Sequence, residues 1–94
     1  MSKSFELGQI VATCGVNDKM QEDAEFAAFV RYSLSRYISC DWGEIDDGDK
    51  EMNDAALGPE PERILAAYKN DKYKIWIITE FDRSATTILF PSEY

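Results

Sequence analysis

An α+β fold is what this sequence predicts: an antiparallel sheet of three to four strands, with a long amphipathic helix packed on one face and a short second helix. Three features carry that expectation. Residues 63–69, 73–80 and 85–90 are rich in β-branched and aromatic side chains and are separated by Asn70-Asp71-Lys72 and by the turn Asp82-Arg83-Ser84 that follows Phe81. Connections that short require antiparallel neighbours. Upstream, Phe26, Phe29, Val30, Leu34 and Tyr37 recur at the period of one helix face, with Glu25, Arg31, Ser35 and Arg36 on the other side. The length of 94 residues is that of one ordinary domain, so residues 1–94 are expected to share a single core.

Taken in order, residues 5–13 read as a strand, because Leu7, Ile10, Val11 and Ala12 bring apolar and β-branched weight before Gly15 breaks the run. Asn17 or Asp18 is placed to cap a helix running to about Ser39, and Asp18 with Gln21 three residues on has the polar reciprocity of a capping box. Residues 40–49 hold Gly43 and Gly48 and little aliphatic mass, which reads as an ordered loop. A short helix from about Asp49 to Leu57 then ends at Gly58-Pro59, where glycine caps and proline forbids continuation.

Composition narrows the function classes. With 10 basic and 18 acidic residues the formal charge is −8, which opposes direct binding to nucleic acid or anionic membrane and favours neutral or basic protein partners. The opening residues contain no apolar run long enough for a signal peptide or membrane span, so a cytoplasmic location in a bacterial host is expected. Cys14 and Cys40 are too few for a disulfide framework and, in a chain without histidine, complete no common zinc set. They are expected to be half-buried free thiols. The five glycines are scattered singly and form no phosphate loop, so no cofactor is expected.

The densest chemical feature is acidic. Between residues 41 and 62 nine carboxylates, half of the total, face the single lysine Lys50. Such a field is either a solvated, solubilising face or a surface that seeks lysine- and arginine-lined clefts. On the second reading the partner-binding residues are Asp41, Trp42, Glu44, Asp46, Asp47, Asp49, Glu51 and Asp54. Exchanging Asp46, Asp47 and Asp49 for lysine is then expected to abolish binding without unfolding the domain. Core packing is the favoured role for Trp42, with an exposed interface anchor as the alternative. A calcium loop fails on spacing: with Gly48 as its sixth residue, Gly43 and Ile45 occupy the first and third positions and Asp54 the twelfth. Glu80, Asp82 and Arg83 are the one cluster an enzyme would use, though turn chemistry and ion pairing are the favoured roles there, and catalysis is not expected.

The stretches Asp41-Trp42-Gly43, Lys50-Glu51-Met52-Asn53-Asp54-Ala55-Ala56 and the whole of residues 75–94, with Ile10-Val11-Ala12-Thr13 as a weaker element, resemble a family of small proteins carried on phages, plasmids and integrative elements of gut bacteria. Its members are often labelled plasmid-related or as a subunit of a type I restriction system. The resemblance covers nearly the whole chain, its specific part being the run from Trp76 to Tyr94. It implies a mobile-element context, in which small acidic proteins block host nucleases, some by occupying the basic nucleic-acid channel as DNA mimics. The expected function is therefore stoichiometric inhibition of a defence nuclease, CRISPR–Cas first and restriction second, with a non-catalytic regulatory module of a mobile element as the alternative.

Overall fold

The computed structural model describes residues 5–94; the polar opening, residues 1–4, lies outside them. Four strands and three helices follow in the order β1 (Gln9–Ala12), α1 (Cys14–Glu22), α2 (Ala24–Ile38), α3 (Asp47–Ala56), β2 (Ile64–Lys69), β3 (Lys74–Thr79) and β4 (Ala85–Leu89), with a 3-10 turn at Pro91–Glu93. The sheet order is β1-β4-β3-β2. β2, β3 and β4 form the expected antiparallel meander, with Tyr68 opposite Ile75 and Ile78 opposite Thr87.

Two expectations are corrected. The sheet is mixed, because β1 lies parallel to β4, Ile10 beside Thr86 and Ala12 beside Ile88. Short turns dictate antiparallel pairing only between strands that they join, and β1 reaches β4 through the helices, a crossover that permits a parallel partner. β1 is also shorter than residues 5–13. Gly8 sits at φ +63° with its α-carbon pressed against the carbonyls of Arg83 and Ser84, where any Cβ would stand 2.3–2.4 Å from their oxygens. The chain therefore bends there, and Phe5 and Leu7 pack against the core instead of extending the strand.

The single long helix is also two helices. Thr13 caps α1 by accepting from the Val16 amide, so Asn17, Asp18 and Gln21 lie within the helix and not at its start. The break is at Asp23, whose amide closes α1 on the Lys19 carbonyl while its Oδ1 accepts from the amides of Glu25 and Phe26 to open α2. Its Oδ2 accepts from the Tyr73 hydroxyl at 2.6 Å, which draws the Asp23 carboxyl below its ordinary range. One residue thus stops a helix by its amide, starts the next by its carboxylate and ties both to Tyr73, just ahead of β3.

α2 lays the predicted stripe on the sheet: Phe26, Val30 and Tyr37 are buried against Ile64, Ala66, Tyr68, Ile75, Ile77 and Ile88, with Phe29 and Leu34 at the margin. Aromatic contacts hold both ends of the helix, Phe26 with Tyr73 and Phe90 at one and Tyr37 with Phe5 and Trp42 at the other. Of the two cysteines, Cys40 is half-buried as expected, but Cys14, in the first turn of α1, is exposed.

Beneath α2 runs a buried polar chain. The Tyr37 hydroxyl lies 2.6 Å from Thr79 Oγ1, which lies 2.7 Å from Thr86 Oγ1, which donates at 2.7 Å to the Leu7 carbonyl. The final acceptor fixes every proton: Thr86 spends its only hydrogen on Leu7, so Thr79 donates to Thr86 and Tyr37 donates to Thr79. Burial pushes the Tyr37 hydroxyl from 10.0 up to about 12.

Tyr37→Phe is expected to cost about 1–3 kcal/mol in urea unfolding, because Thr79 Oγ1 is left buried without its donor. The raised folded value also fixes a pH window: stability from this group is intact below pH 10, where both states are protonated, and declines as pH climbs from 10.0 towards about 12 and the unfolded tyrosine ionises first. Tyr37→Phe should flatten that alkaline decline; an identical pH profile in the variant would exclude Tyr37 as its source.

Candidate functional site

The acidic segment begins where α2 ends. Cys40 takes φ +64°, and its amide bonds Tyr37 O while the Asp41 amide bonds Arg36 O at 2.9 Å. This is a Schellman ending with cysteine at the left-handed position usually given to glycine. It turns the chain so that Asp41 meets Arg36 in a two-pronged pair, Nε to Oδ2 at 2.8 Å and Nη2 to Oδ1 at 3.2 Å. Glu44 joins the same guanidinium at 3.4 Å. The hydrogen bond from Arg36 holds the Asp41 carboxyl below its ordinary range. Arg36 in turn lies over the Tyr68 ring, whose hydroxyl donates to the Asp41 carbonyl at 2.6 Å.

The next residues close an edge of the sheet. Gly43, at φ +77°, bridges to Ala67 of β2, and a Cβ there would lie 2.1 Å from the Ala67 carbonyl. Glycine is what lets the loop approach so closely. The Glu44 amide donates to that carbonyl at 2.7 Å. Further along β2, buried Asn53 of α3 donates from Nδ2 to Leu65 O at 2.9 Å and accepts from Leu65 N at 3.4 Å. Its amide group replaces the peptide of a missing neighbouring strand, so this edge is satisfied without one.

α3 starts on Asp46, whose Oδ1 accepts from the Asp49 amide at 2.8 Å, and it begins two residues earlier than its sequence suggests because of that cap. At its far end Arg83 donates to the Ala56 carbonyl at 2.7 Å and to Glu62 O at 2.8 Å. Between α3 and β2 lies a groove of about 810 Å³ lined by apolar Met52, Ala55, Ala56, Pro59 and Leu65 and by polar Asp49, Asn53, Glu60, Glu62 and Arg63.

These contacts divide the eight candidate residues. Trp42 is 3% exposed and donates to Asp54 Oδ1 at 3.0 Å. The exposed-anchor alternative is therefore corrected: an indole enclosed by Phe5 and Tyr37 has no face to offer a partner. Asp41 and Glu44 are ion-paired with Arg36, Asp46 caps α3 and Asp54 holds Trp42. Asp47, Asp49 and Glu51 stand exposed on α3. Glu60, Glu62 and Arg63 line the groove beside Asp49, and they join the site only because the chain after Pro59 folds back beside α3. Asn53 also lay outside the predicted set, although a polar residue at three-residue spacing from Ala56 on the inward stripe is the signal that marks it.

The alternative cluster is distributed differently. Asp82 accepts from the Ser84 amide at 3.0 Å in a turn, and Arg83, at φ +61°, points its guanidinium at the carbonyls of Ala56, Glu62 and Glu80. Arg83 therefore binds backbone oxygens where pairing with the Glu80 or Asp82 carboxylate was expected, and Glu80, Asp82 and Arg83 do not line the groove. Among the described residues no group of three cysteines and carboxylates is arranged to hold a metal ion, and no helix is long and apolar enough to cross a membrane.

Replacing Asn53 with Ala is expected to remove about 1–3 kcal/mol of stability, since the Leu65 N–H and C=O lose their partner at a half-buried edge. Amide exchange should accelerate in β2 and α3 but not in β4, and equal acceleration in β4 would show that Asn53 does not act at the edge. Comparison with known proteins adds no relative: no family model, curated protein or solved structure matches the chain.

Proposed function

We propose that the chain is a non-catalytic binding protein that presents the exposed face of α3 and the adjoining groove to a basic protein surface. The observation that supports it most is the density of negative charge around α3, on its outward stripe and, across the helix, at the groove. Asp47, Glu51 and Asp54 follow one another at four- and three-residue spacing along α3, with Asp49, Glu60 and Glu62 at the groove and Arg63 as the one cation lining it.

Helix chemistry accounts for only part of this. Asp46, Asp47 and Asp49 favour the positive end of the α3 dipole, worth about 0.3–1 kcal/mol each. Glu51 and Asp54 lie beyond the first turn, and like charges at these spacings cost roughly 0.2–0.5 kcal/mol per pair. A negative line maintained against that cost suits an electrostatic docking face. The apolar residues lining the groove add area on which the aliphatic stem of a lysine or arginine can lie while its head meets the neighbouring carboxylates.

The partner class that such a face serves best is a cleft built for phosphates. We assign it to a bacterial defence nuclease, CRISPR–Cas first and restriction second, inhibited by occupation of its nucleic-acid channel in the manner of a DNA mimic. The docking set is Asp47, Asp49, Glu51, Glu60 and Glu62.

Because Asp46 is the helix cap and Asp54 supports Trp42, a triple exchange that includes Asp46 would confound binding with folding. The double variant Asp47→Lys, Glu51→Lys separates them: a cation at the positive end of the α3 dipole is expected to lower its unfolding free energy by no more than about 2 kcal/mol, which leaves the domain folded. In plasmid-interference assays against a panel of CRISPR and restriction systems, wild type should protect against at least one system and the double variant, verified as folded by its circular dichroism, should not. Binding to the nuclease should weaken roughly tenfold or more, with a reduced salt dependence. Equal protection by the folded double variant removes the acidic-face mechanism, and protection against none of the systems removes the nuclease assignment.

A further inference from the structure

The two edges of the sheet are treated in opposite ways. β2 is closed by Asn53, Gly43 and Glu44, whereas β1 has a strand on one side only among the described residues. The amides of Gln9 and Thr13 donate to the Ser84 and Ile88 carbonyls. Since the direction of backbone polar groups alternates along a strand, the N–H and C=O of Ile10 and Ala12 point away from β4. The whole strand is exposed, Ile10 at 46% and Val11 at 37%.

Open edges are ordinarily guarded by charge or proline. This one has neither: from Leu7 to Asn17 the sequence contains no charged residue and no proline, in a chain that is 30% charged. The same neutral stretch is where two copies, each of charge −8, can touch without setting like charges opposite each other. The α3 carboxylates lie beyond β2, three strand spacings or roughly 14 Å from β1, which exceeds the screening length of about 8 Å at physiological salt.

We propose that β1 pairs antiparallel with β1 of a second copy, joining two four-stranded sheets across a two-fold axis at Val11. Ile10 of each copy exchanges both backbone hydrogen bonds with Ala12 of the other. Val11 faces its own counterpart as a non-hydrogen-bonded pair, with α-carbons about 4.5 Å apart. The Ile10 and Val11 side chains gain cover on opposite faces of the joined sheet, and the two α3 faces stand at its far ends. The inference is independent of the docking reading above.

Two measurements test it. In sedimentation velocity over a concentration series, the wild-type chain should pass from monomer to dimer, and Val11→Lys, which sets two ammonium groups against each other on the axis, should raise the dimer dissociation constant by about tenfold or more. In a Cys14→Ser background, Val11→Cys should form a disulfide-linked dimer under mild oxidation, a readout that needs no comparison of variant stabilities. Wild type that remains monomeric throughout and a Val11→Cys chain that fails to cross-link would overturn the proposal. A dimer indifferent to Val11→Lys would place the interface elsewhere, and a strand that pairs only when another protein is added would assign the edge to a different partner.

Discussion

Fold and surface both depend on how β3 is held. Its inward residues Ile75, Ile77 and Thr79 are fully buried, and Thr79 is the middle member of a hydrogen-bond chain that passes from Tyr37 on α2 through Thr86 on β4 to the Leu7 carbonyl. Each hydroxyl in that chain has one proton and one direction in which to give it, so α2, β3, β4 and the segment before β1 are registered together. Apolar packing alone tolerates sliding of a helix over a sheet. A buried donor that would lose its acceptor does not.

From that fixed frame the rest of the architecture follows by edges. At the β2 side, the turn after α2 brings Gly43 against Ala67, and Asp46 starts α3 so that Asn53 reaches Leu65. Sealing the edge with a helix places the helix's polar face outward, which is where the carboxylates lie. At the β1 side nothing equivalent occurs among the described residues, and residues 7–17 are neutral. The molecule therefore separates two surface properties in space: the dense carboxylates of residues 41–62 at one end of the sheet and an outward-facing, neutral strand at the other. This is how a chain of charge −8 keeps one region able to meet its own copy while another repels it.

The acidic segment also shows how much of a charge cluster is internal. Arg36 takes Asp41 and Glu44, the Trp42 indole takes Asp54, and the α3 amides take Asp46. Those carboxylates build the platform. Asp47, Asp49 and Glu51 are what the platform displays, and Glu60 and Glu62 reach the groove from the following loop.

Local chemistry was legible in the sequence. The alternation and short turns of residues 63–90 led to β2, β3 and β4, the aromatic period led to the buried face of α2, and Gly58-Pro59 marked the end of α3, because turn residues and hydrophobic periods act within a few positions of themselves. Long-range partners were not legible. That Asp23 splits the helix depends on Tyr73, that β1 runs parallel depends on β4, and that Trp42 is enclosed depends on Phe5, Tyr37 and Asp54. Sequence by itself thus determined which segments form elements and where negative charge is dense. Only the tertiary structure decided which carboxylates are consumed in holding the fold and which edge stays open, because both depend on groups brought together from distant parts of the chain.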